Sequence, residues 1–256
     1  MACGGGVSRE PLSYQMRRGA RRCAGEVLYF ARESMEKKLI HEIIPVGWLQ
    51  CNCSIVGDPE TRDAIVIDPG DEVDRIAAIL ARHNLKVRAI VITHAHIDHV
   101  GGLWNLRKST GAPVLMHPED VELYRALEKQ AEWVGMRAPM MSEVDGALCE
   151  GEAIRWGHYE AHVLHTPGHS RGSVCLHLPG ETAPENARPD VLFAGDTLFA
   201  GSIGRTDLWG GSMPEILRSI HSKLLVLPED TLVYPGHGPA TTIARERLTN
   251  PFLRSL

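Results

Sequence analysis

Residues 87–93 of this chain read Val-Arg-Ala-Ile-Val-Ile-Thr, and the six residues that follow are His94-Ala95-His96-Ile97-Asp98-His99. A nearly continuous apolar run of this kind is the pattern of a strand buried on both faces, with covering layers on each side of its sheet. The end of that strand carries four metal-capable side chains within six positions. In an extended chain alternate residues share a face, and Asp98 and His99 would point apart. In a tight loop leading into a helix, His94 and His96 can chelate one ion while Asp98 and His99 reach a second. Gly101 and Gly102 follow, and residues without a side chain let the backbone turn close to a crowded site.

Three more metal-capable residues stand just past expected strands. His169 lies in Thr166-Pro167-Gly168-His169, Asp196 in Phe193-Ala194-Gly195-Asp196, and His237 in Pro235-Gly236-His237-Gly238. Loops at strand ends, held by a rigid sheet, are where ligands distant in sequence converge. Five histidines and two aspartates suit borderline metals such as zinc and, less selectively, iron or manganese. The remaining histidines, His41, His83, His117, His158, His162, His165, His177 and His221, read as surface or hydrogen-bonded side chains. His165 is the nearest rival, four residues before His169, but it lacks the Pro-Gly turn.

Strands are expected at 39–44, 53–56, 64–68, 87–93, 113–116, 153–156, 161–164, 173–178, 191–194 and 231–234. Helical spacing or helix-start signals mark 71–83, 102–110, 118–129, 212–223 and 241–248. Ser212-Met213-Pro214-Glu215 matches a capping box, with the glutamate three residues after the serine. Residues 131–146 read as irregular and 180–189 as a polar surface excursion. The elements fall into two rough halves, which points to an α/β chain of two packed sheets with helices outside.

Composition bounds the function. The chain has 256 residues, 43% hydrophobic and 23% charged, enough to bury a core without disulfides. No apolar stretch approaches the roughly 18 residues of a membrane span, so no membrane partner is expected. The net charge of −5 argues against nucleic acid as a partner. None of the six cysteines forms a C-x-x-C pair, and their irregular spacing fits free thiols in a reducing cytoplasm. Residues 1–34 are arginine-rich with a net charge of +3, and read as a poorly ordered N-terminal extension ahead of a domain at 35–256.

The motif H-x-H-x-D-H at 94–99 resembles that of the metallo-β-lactamase superfamily. The segments TPGHS (166–170), FAGDTLF (193–199), GSIGRTD (201–207) and YPGHG (234–238) resemble its glyoxalase II-like hydrolases, over about residues 38–256. That resemblance implies an αβ/βα sandwich. It implies two divalent metal ions, zinc foremost with iron or manganese as alternatives. The first would be held by His94, His96 and His169, the second by Asp98, His99 and His237, with Asp196 bridging. Asp98 and Asp196 would be the catalytic carboxylates, acting with a hydroxide between the ions on a small-molecule thioester such as S-D-lactoylglutathione. A thiolate, with a free-thiol pKa of about 8.5, leaves without a strong general acid, which favours a thioester over a lactam. Arg205 would meet an anionic substrate or form a structural ion pair with Asp207. The chain ends soon after the last ligand loop, like the short single-domain branch. The glutathione contacts of the longer enzymes therefore do not carry over, and the oligomeric state stays open. A mononuclear-iron persulfide dioxygenase, using His94, His169 and Asp196, and a lactonase are the alternatives within the superfamily.

Overall fold

A computed structural model describes residues 38–181 and 187–254, so the expectations for residues 1–34 and 182–186 lie outside the described residues. The first sheet comprises β1 (Ile40–Val46), β2 (Cys51–Gly57), β3 (Asp63–Ile67), β4 (Lys86–Ile92), β5 (Val114–Met116) and β6 (Gly146–Ala147), in that spatial order. The first three are antiparallel, and β3 to β6 run parallel to one another. The second sheet comprises β7 (Ala153–Trp156), β8 (Tyr159–His165), β9 (Val174–Leu178) and β10 (Val191–Gly195). A separate two-stranded ribbon, β11 (Leu198–Phe199) and β12 (Ser202–Ile203), follows β10, and β13 (Leu232–Pro235) and β14 (Thr241–Thr242) complete the second sheet in the order β14-β13-β10-β9-β8-β7.

Helices α1 (Val73–Arg82), α2 (Ile97–Val100), α3 (Leu103–Thr110), α4 (Val121–Arg125) and α5 (Leu127–Val134) belong to the first half, and α6 (Met213–Ser219) and α7 (Ile243–Thr249) to the second. Alternation along the buried strands explains the layering. On β4, Ile90 and Ile92 join a cluster with Ile76, Leu103 and Leu106 of the helices. Ala89 and Val91 join a second cluster with Val163, Leu176 and Phe193 of the other sheet. On β10 the outer-facing Leu192 and Ala194 pack with Ile216, Ile220 and Ile243. Both sheets are thus covered on both faces, and the expected sandwich is the fold found.

Several local expectations are corrected. The helix expected at 118–129 is broken: a 3-10 turn at Pro118–Asp120 precedes α4, and the chain kinks at Ala126. Helix α5 then runs into the stretch expected to be irregular, burying Leu127, Gln130 and Ala131, until Gly135 ends it in the left-handed region. In the same stretch β6 pairs with β5. Ser212 is the N-cap of α6, but its side chain bonds no amide, so the capping box does not form. Its own N–H is spent on the Gly168 carbonyl (2.8 Å), which ties α6 to the His169 turn. The final helix starts two residues late because Thr241 and Thr242 pair with β13, and the Thr242 hydroxyl caps α7 by accepting from the Arg245 amide. Among the described residues no helix is long and apolar enough to cross a membrane.

Candidate metal centre

All seven predicted side chains converge at the C-terminal ends of β4, β8, β10 and β13. Leaving β4, the chain turns through Thr93–His96 into α2, which starts at Ile97 and places Asp98 and His99 in its first turn. His169 occupies the turn between β8 and β9, and the Val174 amide donates to the Thr93 carbonyl (2.9 Å), lacing the two sheets together beside it. Asp196 follows the last residue of β10 and His237 nearly follows β13. Parallel pairing of these strands, extended by a bond from the Gly236 amide to the Gly195 carbonyl (2.8 Å), keeps the two loops adjacent.

The ligand atoms form two overlapping groups. His169 Nε2 stands 2.9 Å from His96 Nδ1 and 3.1 Å from His94 Nε2. His237 Nε2 stands 3.3 Å from His99 Nε2 and 3.2 Å from Asp98 Oδ2. Asp196 lies between them, with Oδ2 3.5 Å from His169 Nε2 and Oδ1 3.5 Å from His99 Nε2. Such spacings match the edges of a tetrahedral nitrogen site, about 3.3 Å for metal–nitrogen bonds of about 2.0–2.1 Å.

Four of the five imidazoles are aimed from behind. His169 Nδ1 donates to the Arg205 carbonyl (2.8 Å) and His237 Nδ1 to the Leu49 carbonyl (3.1 Å). His99 Nδ1 donates to Asp68 Oδ2 (3.0 Å). His94 Nδ1 donates to the Thr93 hydroxyl (3.2 Å), which passes its own proton to the same Asp68 oxygen (2.6 Å). With Nδ1 committed, these four rings present Nε2 to the centre. Only His96 presents Nδ1.

The fit to divalent ions has a direct signature: Asp196 Oδ1 is buried without any hydrogen-bond partner. An orphaned carboxylate oxygen costs the desolvation of a charged acceptor, and a cation between the two groups satisfies it. Gly236 leaves room for that oxygen, since a Cβ there would come within 2.2 Å of it and 2.8 Å of His99 Cε1. A second forced glycine is Gly70, whose Cβ would overlap the Asp98 carbonyl oxygen at 1.8 Å.

The sequence pattern of the metallo-β-lactamase superfamily matches residues 46–237. The chain belongs to that superfamily. A hydroxyacylglutathione hydrolase, GloC of Haemophilus influenzae, is 35% identical over 84% of this chain and 98% of its own. The crystal structure of BLEG-1 B3 metallo-β-lactamase is 38% identical, with a TM-score of 0.75 over 84% of this chain and 99% of that one. TTHA1623, solved in a di-iron-bound form, is 39% identical with a TM-score of 0.69, covering 83% of this chain and all of its own. The seven residues thus form a His/Asp cluster able to hold divalent ions, in a chain of the metallo-β-lactamase-superfamily hydrolases.

Electrostatics prepare the first group for ligation. In the second, against the effect of burial, Cys51 and the surrounding carboxylates raise His99, and Asp98 and Asp196 raise His237, so these two rings shed a proton when a metal binds. Burial pushes His94 well below the ordinary histidine value, and neighbouring imidazoles add to it. His96 is lowered to about 3, again by burial first and then by His169. Both rings are therefore neutral, the form that binds metal. Burial works against the Asp98 anion, but His99, the His237 hydrogen bond and His96 outweigh it and hold its carboxyl far below the usual range.

Several contributors left no clear mark in the sequence. Asp120 Oδ2 accepts from the Ala95 amide and the Ser170 hydroxyl (both 2.8 Å), while Oδ1 accepts from the Gly172 amide (2.7 Å), clamping the 94–99 turn to the 169–172 loop. Gln130 Oε1 accepts from the Ile97 amide (2.9 Å), and its amide group donates to the Ala95 carbonyl (3.1 Å). Cys51 Sγ lies 3.5 Å behind His99 Nδ1, and burial pushes its thiol up to about 12, so it remains protonated. Cys53 packs in the core.

Of the other histidines, His221 departs from the expected surface or hydrogen-bonded reading, its Nε2 being buried without a hydrogen-bond partner among the described residues. His41 is wedged edge-on between Phe193 and Tyr234, where burial lowers it to about 4. His165 stacks on His117 at 3.9 Å. His158, His177 and His83 pair with Asp58, Asp190 and Glu42. Arg205 forms a bidentate pair with exposed Asp207, both bonds 2.8 Å. Its carbonyl fixes His169, and its side chain reaches the rim of the cleft above the metal cluster.

Proposed function

We propose that this protein hydrolyses a thioester, with S-D-lactoylglutathione as the reference substrate. The observation behind this reading is the complete second group, Asp98, His99 and His237, beside the first, with Asp196 spanning both. Two zinc ions held there would supply an acidified water and a Lewis acid for the substrate carbonyl.

The chain's own residues divide the remaining work. Asp196 and the four backed Nε2 atoms set the spacing of the two groups. Asp98, at the open side with 14% of its side chain exposed, stands 3.2 Å from His237 Nε2 and faces what lies above the cluster. Among the described residues, the only ionisable side chain lining the cleft besides the ligands is Arg205, already paired with Asp207. A cleft without a lysine, tyrosine or spare histidine offers no proton to an amide nitrogen, whereas a thiolate departs without one. This favours a thioester over a lactam, and the intact His237 loop favours hydrolysis over the one-iron dioxygenase alternative, which would use only His94, His169 and Asp196. The buried free thiols Cys51, Cys53 and Cys175 fit a reducing compartment such as the cytoplasm.

Metal quantification together with turnover of S-D-lactoylglutathione tests the proposal. About two zinc ions per chain and rapid thiol release are expected. One iron per chain with persulfide-dependent oxygen uptake would overturn it.

A further inference from the structure

Above the metal cluster lies a cavity of about 490 Å³, within the range of pockets that enclose a small molecule. The ligands make its floor. The lining includes Leu123 of α4, Trp133 and Val134 of α5, Leu208 and Trp209 of the 205–209 loop, and Leu49. Trp133 is 69% exposed and Trp209 46% exposed. Two part-exposed indoles lining one cavity offer apolar surface that a ligand would gain by covering. Arg205, the cation among the described residues lining this cavity, is paired with Asp207. The walls therefore offer apolar surface and little net charge.

We infer that this lining is the acyl-side subsite, and that the substrate class is thioesters of apolar acyl groups, medium-chain or aromatic, in preference to the small hydroxylated lactoyl group. The inference rests on the thioesterase reading above. In the reaction one water is consumed. The C–S bond breaks with its electron pair passing to sulfur, a C–O bond forms at the carbonyl carbon, and the water's two protons end on the thiol and in solvent. The acyl chain, held against Trp133 and Trp209, positions the carbonyl over the floor of the cavity. A lactoyl group, with one methyl and a hydroxyl, covers neither indole and places a polar group against them.

The test uses the metal-loaded full chain and a glutathione thioester series of fixed thiol: acetyl, butyryl, hexanoyl and D-lactoyl. We expect kcat/KM to climb by up to about fourfold per added methylene as the chain fills the walls, with hexanoyl above lactoyl. Trp133→Ala and Trp209→Ala should flatten that slope, mainly by raising KM for the hexanoyl ester. Because an altered wall could disturb folding, a wild-type measurement stands beside it: hexanoate should inhibit more strongly than acetate and change tryptophan fluorescence. A flat chain-length profile with normal thioester turnover, or equal inhibition by both carboxylates, would overturn the inference and leave the thioesterase reading standing. No turnover of any thioester overturns both.

Discussion

Asp68 Oδ2 accepts a hydrogen bond from His99 Nδ1 at 3.0 Å and, through the Thr93 hydroxyl, also orients His94. One buried carboxylate thus aims a ring in each ligand group. Its backbone holds a left-handed φ of 51°, a conformation that non-glycine residues adopt at a cost and that surrounding structure must enforce. Both oxygens are in use, since Oδ1 accepts from the Thr93 amide (2.8 Å).

Asp68→Asn should therefore weaken metal affinity by about 10–100-fold without unfolding the chain, as is typical when a residue orienting a metal-bound histidine is replaced. Competition titration with a chromophoric chelator measures it. Unaltered affinity would mean that packing alone orients His94 and His99.

His237→Ala removes one ligand from the second group only. Metal content is expected to fall from about two ions per chain towards about one, with kcat/KM down by at least about a hundredfold, some 2.7 kcal/mol of transition-state stabilisation. Elemental analysis and steady-state kinetics read the two effects separately. Full activity at one ion per chain would refute the dinuclear assignment.

Chelation should lower stability as well as abolish activity. The ligand loops leave strands of both sheets, so ions that bind only the folded chain stabilise it by RT ln(1 + [L]/Kd), about 4 kcal/mol for each site at a thousandfold excess over Kd. Calorimetry before and after chelation, with zinc added back, checks this. An unchanged Tm would show that the sandwich holds itself without the centre.

Asp58 joins the sheets away from the metals. Its Oδ2 accepts from the His158 amide (2.8 Å), and its Oδ1 from the Glu60 amide (2.6 Å). Asp58→Ala is expected to cost about 1–3 kcal/mol by leaving these amides unpaired. Burial opposes the anion, but the amide bonds from His158, Glu60 and Thr61 outweigh it and lower its pKa. Its contribution is therefore fully present above the unfolded carboxylate value, near 4, and lost as pH falls through the lower folded one. Urea titrations of both proteins at neutral and acid pH should show the difference between them shrinking in acid.

The ligand loops were legible because their chemistry is written locally: four metal-capable residues crowd into 94–99, and His169, Asp196 and His237 each follow an apolar strand and a glycine. The layered fold was legible for a related reason, since a run such as 87–93 can be satisfied only by cover on both faces. Tertiary structure decided the rest. Asp68 and Asp120 are ordinary acids in sequence, and nothing in their neighbours says that each will be buried against a ligand loop 25 residues away. Gln130 and Trp133 lie on a helix whose continuation could not be separated from a loop, because its stability comes from the surface it covers rather than from its own residues. Trp209 comes to line the same cavity as Trp133 only through the fold. Spacing along the chain determines which side chains can chelate together; which acids aim them, and which apolar surfaces enclose the substrate, depends on elements that meet only when the two sheets pack.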